Sequence, residues 1–205
     1  MDARNPMLRT VAVLVIMVGW SFSVYADLVH TYSGNFNLPI PAPDEPESEY
    51  GKGWMDDAII EVRDYHIIHD IDVGINLTHT NVFDLQIFLQ SPAGTQLCLN
   101  MYNLDEYFEG ANYTNTIFDD EAEIPIEQGE PPFIGRFRPL EPYRLSAFDY
   151  ENSFGLWRLQ IYDAFYADTG TLNSFELMIT TPEPATAILL LLGAGLMTVF
   201  KPRRG

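Results

Sequence analysis

The chain has 205 residues, 47% of them hydrophobic, and carries a formal net charge of −18. So acidic a surface repels nucleic acid and anionic membrane, and it favours solubility and divalent cations. Cys98 is the only cysteine, which excludes an internal disulfide framework, and the length suffices for one domain with a real core.

The chain opens on a targeting pattern. Arg4 and Arg9 precede an apolar run from Val11 to Gly19, and Val24-Tyr25-Ala26 supplies small or medium residues at −3 and −1. Residues 1–26 are therefore expected to be a secretory signal peptide, cut between Ala26 and Asp27. The run falls short of the roughly 20 apolar residues of a retained span. Asp27, not Cys, would become the first residue, which argues against lipid attachment there.

Residues 27–181 hold 27 acidic against 6 basic side chains, a net charge near −21. Residues 28–40 are predicted as an edge strand stiffened by Pro39, Pro41 and Pro43. Residues 58–62 form a short predicted strand. In residues 67–78, Ile71, Val73, Ile75 and Leu77 share one face, and Asp70, Asp72 and Asn76 the other. The clearest strand is 83–90, with Phe83, Leu85, Ile87 and Leu89 opposed to Asp84, Gln86, Phe88 and Gln90. Ser91-Pro92-Ala93-Gly94 turns the chain, and 96–101 returns as a hairpin partner with Leu97 and Leu99 opposite Cys98, a small strand residue.

An irregular polar connection, 103–115, leads to a predicted strand over 116–122 and then to an acidic, proline-containing loop. Residues 133–137 read as a brief strand. Residues 156–163 alternate with Trp157, Leu159 and Ile161 inward. Ala167-Asp168-Thr169-Gly170 is a tight turn with Gly at its αL-capable position. Residues 172–181 close the domain with Phe175, Leu177 and Ile179 on one parity. No stretch of this domain sustains a 3.6-residue period. The pattern predicts an all-β, antiparallel β-sandwich.

Residues 182–205 differ in kind. Pro182-Glu183-Pro184 holds the backbone extended ahead of an apolar run over 185–200, followed by Lys201, Arg203 and Arg204. An apolar helix there would be about 24 Å long. That is short of the roughly 30 Å hydrocarbon core, and the basic cluster suits a cytoplasmic end.

These landmarks, in this order, resemble the P domain (P/Homo B domain) that follows the catalytic domain in kexin-like proprotein convertases. The likeness rests on Leu38-Pro39-Ile40-Pro41, His79-Thr80, Asp84-Leu85, Ser91-Pro92-Ala93-Gly94-Thr95 and Thr116-Ile117-Phe118-Asp119-Asp120-Glu121-Ala122. It continues through 133–137 with Pro139, Leu145-Ser146-Ala147-Phe148, Gly155-Leu156-Trp157-Arg158-Leu159 and Asp168-Thr169-Gly170-Thr171-Leu172. The resemblance implies a jelly-roll-like β-sandwich of about eight strands, with His79 in a structural role at a strand end. Phe175 stands where the family usually has Trp, a change a core tolerates. The tail, Pro182-Glu183-Pro184 with its apolar run and terminal Arg cluster, resembles the PEP-CTERM sorting signal, which implies removal by an exosortase. A permanent single-span anchor is the alternative.

Catalytic chemistry is not expected. His79, Asp84 and Ser91 belong to one hairpin region, where a triad rarely converges, and no G-x-S-x-G elbow is present. His66 and His69, three apart on extended backbone, point to opposite sides and make a poor zinc site. Asp119, Asp120 and Glu121 are three consecutive carboxylates, candidates for Ca²⁺ with help from Asp84 and Asp163 near strand ends. A solvated acidic corner is the alternative. The tyrosines Tyr102, Tyr107, Tyr113, Tyr143, Tyr150 and Tyr166 are candidates for a carbohydrate or protein contact surface.

The sequence thus leads to an exported, non-catalytic envelope protein, processed by signal peptidase and exosortase, with a C-terminal helix in the inner membrane before the cut. Its work would be adhesion or extracellular-matrix association through a polysaccharide or protein ligand. An accessory P domain of a subtilisin-like endopeptidase system, or a lectin, are the competing readings.

Overall fold

Alternating apolar residues on short strands can be buried only by laying one sheet on another, and that is the arrangement found. The computed structural model describes residues 27–43, 52–101 and 109–182. Its ten strands are β1 (Asp27–Ile40), β2 (Gly53–Trp54), β3 (Ala58–Val62), β4 (Asp70–His79), β5 (Leu85–Gln90), β6 (Gln96–Asn100), β7 (Tyr113–Phe118), β8 (Phe133–Phe137), β9 (Gly155–Asp163) and β10 (Gly170–Pro182). One sheet has the order β1-β10-β4-β7-β8. The other runs β2-β9-β5-β6, with β3 also on β9. The regions expected to be signal peptide (1–26) and apolar helix (185–200) lie outside the described residues. No helix among the described residues is long and apolar enough to cross a membrane.

The core lies between the sheets. Ile71, Val73, Ile75 and Leu77 of β4, with Phe175, Leu177 and Ile179 of β10, face Leu85, Ile87 and Leu89 of β5 and Trp157, Leu159 and Ile161 of β9, and all are buried. The period-two pattern of the sequence supplies these residues, and each buried aliphatic or aromatic side chain contributes about 1.5–3 kcal/mol of transfer free energy. Phe175 is fully buried, as the expected Trp-to-Phe replacement requires.

Four local expectations need correction. Phe83 does not belong to the strand, because Asn81 accepts a hydrogen bond from the Phe83 N–H and starts a 3₁₀ turn over Val82–Asp84, so β5 begins at Leu85. The strand expected at 116–122 starts earlier, at Tyr113, and ends at Phe118, where Asp119 turns the chain by accepting from the Glu121 N–H. The sheets are not wholly antiparallel, since β7 and β8 pair in parallel, Phe118 opposite Phe137. Finally, the left-handed residue of the β9–β10 loop is Ala167, at φ 82°, and not Gly170. Gly170 is required for close approach: a Cβ there would lie 2.2 Å from the Thr78 carbonyl oxygen and 2.5 Å from the His79 ring.

Cys98 sits opposite Phe88 on the β5–β6 hairpin and is buried, and burial pushes its thiol up to about 11. It is a packing residue with negligible thiolate at neutral pH.

Candidate functional site: two acidic ends of the sandwich

β4 organises the polar chemistry because both of its ends are acidic neighbourhoods. Its ten residues put Asp70 and His79 roughly 30 Å apart at about 3.3 Å per residue. The five carboxylates expected to share one cation site are divided between these ends. Asp119, Asp120 and Glu121 lie by Asp70, and Asp84 and Asp163 lie by His79.

At the first end, antiparallel pairing sets Asp70 opposite Thr180 of β10 and Asp72 opposite Met178, on the outer face. The turn after β7 brings Glu121 alongside, so that donor oxygens of Asp70, Asp72 and Glu121 fall within 4.8 Å of one another. Beside Asp70 and Glu121 opens a cleft of about 350 Å³ lined by Asp27, His69, Asp70, Asp120, Glu121, Ser146, Asp149 and Thr180. Arg136, on the outer face of β8, joins Asp72 and Asp119 by ion pairs to both. Asp72 Oδ1 stays buried without a hydrogen-bond partner. Burial pushes the Asp72 carboxyl up to about 6 despite Arg136. Burial and the Asp119 hydrogen bond push Glu121 up to about 7, with Asp70 adding like charge.

The other two members of the consecutive triplet have protein partners. Burial disfavours the charged form of Asp119, but Arg136 and the Glu121 N–H outweigh it and hold its carboxyl below the usual range. Asp120 accepts from the backbone N–H groups of Leu145 (2.8 Å) and Ser146 (2.9 Å), fastening the 3₁₀ turn Leu145–Phe148 to this corner. Asp70 and Asp72 therefore take the places that the sequence reading gave to Asp119 and Asp120. Their signal was present as the polar parity of β4, but their approach to Glu121 depends on β4 pairing with β7, which no local pattern encodes.

At the other end, the His79 imidazole is fully buried between Asn81 and β9. Its Nδ1 lies 2.8 Å from the Asn81 carbonyl oxygen and its Nε2 lies 3.1 Å from Asp163 Oδ2. The Asp163 carboxyl is raised by burial, against the pull of His79. Asp84 accepts from Asn81 Nδ2 at 3.0 Å. Burial, with the charges of Asp163 and Asp168, pushes its carboxyl up to about 7. His79 and Asp163 thus resemble the base and orienting acid of a hydrolase, but Ser91 lies beyond the far end of β5, roughly 20 Å along the strand, and does not meet the imidazole. His66 stacks on His30 at 3.8 Å, while His69 lines the acidic cleft, so the two do not converge.

Among the described residues the candidate tyrosines do not make one surface. Tyr113 is buried and its hydroxyl accepts from Asn100 Nδ2, because it belongs to β7 and not to a loop. Tyr150 and Tyr166 are exposed at opposite ends of the molecule, one beside Ile68 and the other in the β9–β10 loop. Tyr102 and Tyr107 lie outside the described residues.

The register also relates the two expected processing points. Asp27 pairs with Pro182 across β1 and β10, so the backbone that follows Ala26 and the backbone that leads to Glu183 and Pro184 meet at one edge, next to the acidic cleft.

The chain is similar to a serine protease of Aeromonas sobria, at 17% identity and a TM-score of 0.46, over 77% of this chain and 27% of that one. It is likewise similar to the same protease in complex with its chaperone ORF2, at 17% identity and a TM-score of 0.45, over 78% and 27%. The chain thus spans about a quarter of the length of those proteins. No curated protein matches. Residues 180–204 match the PEP-CTERM protein-sorting motif, which implies export to the cell envelope and processing by an exosortase. Residues 68–179, more than half of the chain, match the proprotein convertase P-domain, with no catalytic protease domain identified beside it. By that match the chain belongs to the proprotein convertase P-domain family and carries a PEP-CTERM sorting motif directly behind the P domain.

Proposed function

We propose that this P domain is a non-catalytic module of the cell envelope, freed by two cuts and held in the envelope or matrix by a polysaccharide or protein ligand. The observation that carries the reading is the pairing of Asp27 with Pro182. Signal peptidase would cut before Asp27 and exosortase near Pro182-Glu183-Pro184. Both cuts then fall on one edge of the sandwich, and the membrane-embedded parts are removed from the same side. The short apolar run over 185–200 would hold that edge at the bilayer until the second cut.

The acidic cleft supports a cation as part of this function. Asp72 Oδ1 is an orphaned buried oxygen, and Asp70 and Asp72 of β4 with Glu121 of the turn after β7 are hard oxygen donors, which is the chemistry of Ca²⁺. Those three residues would hold the ion. Asp119 and Asp120, engaged by Arg136 and the Leu145–Phe148 turn, would set the cleft's shape. The ion would supply charge neutralisation between loops, and through it a calcium-dependent grip on an anionic polysaccharide.

Two readouts test this on the purified mature protein. Calcium at 100 times its Kd should stabilise the fold by about 2.7 kcal/mol through mass action. The host's own extracellular polysaccharide should retain the protein in calcium and release it with chelator. Asp72→Asn combined with Glu121→Gln should remove both effects. A melting temperature and a retention that ignore calcium and chelator would overturn the cation's role.

A further inference from the structure

Among the described residues three carboxylates are buried, Asp84, Asp119 and Asp163. Two of them have both oxygens engaged. Asp119 takes the Glu121 N–H and Arg136. Asp163 takes the Phe165 N–H and His79. Asp84 is different: it is 5% exposed, Asn81 Nδ2 occupies its Oδ1, and its Oδ2 is buried with no hydrogen-bond partner. An unsatisfied carboxylate oxygen in a nearly dry place is costly, so such groups are normally paired, protonated or bound to a cation.

The group that faces Asp84 makes the problem sharper. It is another carboxylate: Thr80 and Asn81, neighbours in sequence, hold Asp168 and Asp84 respectively, and the Asp168 charge bears on Asp84. Neither side chain is free to swing away. Ala164 N–H bonds the Asp84 carbonyl oxygen at 2.9 Å, fixing the β9–β10 loop against the 3₁₀ turn that carries Asp84. Thr80, just after β4, reaches across to that loop: its Oγ1 donates to Asp168 Oδ1 at 2.6 Å and accepts from the Thr169 N–H at 3.2 Å. The titratable groups around the pair are His79 on β4 and Asp163 on β9, and these two engage each other. Lys52, the nearby basic residue with a described contact, lies over the Tyr166 ring at 5.5 Å. Among the described residues these three carboxylates therefore share one imidazole, and no basic side chain pairs with the two that face each other.

We propose that Asp84 and Asp168 bracket a Ca²⁺ site, separate from the acidic cleft at the far end of β4 and independent of it. Asp84 Oδ2 is the inner ligand and Asp168 the outer one, and solvent completes the shell on the half-buried Asp168 side. Two hard carboxylate oxygens from irregular backbone suit calcium, which accepts flexible geometry and water ligands, better than they suit the strict octahedron of Mg²⁺. The bound ion would lock the β9–β10 loop onto the turn before β5, and so tie the last strand of one sheet to a central strand of the other.

The test is calorimetric titration of CaCl₂ into the chelator-treated mature protein, up to roughly 10 mM since extracellular modules bind at about 10⁻⁴–10⁻³ M. The wild type is expected to take up one ion here in addition to any ion in the cleft. Asp84→Asn and Asp168→Asn should each lower the stoichiometry by one ion per chain. Asp72→Asn with Glu121→Gln should leave this ion in place, so a failure of the cleft and a failure of this site are told apart. Asp168, on the surface loop, keeps the test decisive if Asp84→Asn does not fold. Unchanged stoichiometry in Asp168→Asn would overturn the proposal. So would Asp84→Asn stabilising the calcium-free protein with no loss of binding, since that marks two carboxyls sharing a proton.

Discussion

Trp157→Ala is expected to lower stability by about 3–5 kcal/mol, the usual cost of emptying a buried aromatic site. At about 2–4 °C per kcal/mol for a domain of this size, the melting temperature should fall by roughly 6–20 °C. The indole is fully buried on the inner face of β9, packs edge-on against Phe148 with centroids 5.3 Å apart, and donates Nε1–H to the Ser153 carbonyl oxygen at 2.9 Å. Its loss opens a cavity between the sheets and orphans an acceptor as well. Gln160, on the outer face of the same strand with bonds to Gln96 and Asp57, provides the contrast, and Gln160→Ala should stay within about 0.5 kcal/mol of wild type. Thermal denaturation followed by circular dichroism separates the two. Equal losses would mean that the inward parity of β9 is wrong.

His79→Ala should cost a comparable amount, about 3–5 kcal/mol, for an electrostatic reason. It leaves Asp163 as a fully buried carboxylate that keeps only the Phe165 N–H, beside Asp84 and Asp168 of the same sign. The two losses should not add. A double-mutant cycle with Asp163→Asn is expected to show the double variant costing less than the sum of the singles, because the second change removes the charge that the first strands. Additive losses, measured by urea unfolding, would show that the 3.1 Å contact between the two side chains contributes nothing. The pair joins the end of β4 to the end of β9, and through that link it acts on stability.

The strands were legible where period two ran uninterrupted, as in β4, β5, β9 and β10, since alternation of Leu and Ile with polar residues states which face is buried. Legibility failed at residues whose side chains bond to the backbone. Asn81 draws Phe83 out of the strand it seems to begin, and Asp119 ends β7 early, both through Asx-type bonds that compete with the ladder. The parallel β7–β8 pair was hidden for another reason: the sign of pairing depends on the course of the connecting chain, not on the pattern of either strand. The candidate site was legible in composition and illegible in grouping. Acidic residues near strand ends were apparent, but which end each occupies follows from register. Register sends Asp84 and Asp163 to one end of β4 and Glu121 to the other, and gives Asp119 to Arg136. Asp168 lay in a turn that the sequence marked only for its glycine.

The intact mass of the mature protein from its native host tests most directly whether the exported P domain is trimmed at both ends. The expected species begins at Asp27 and ends at or near Pro182-Glu183-Pro184, the backbone that β1 and β10 bring together, and it is recovered from the envelope or the medium. A species in the envelope fraction that still ends at Gly205 would contradict the account.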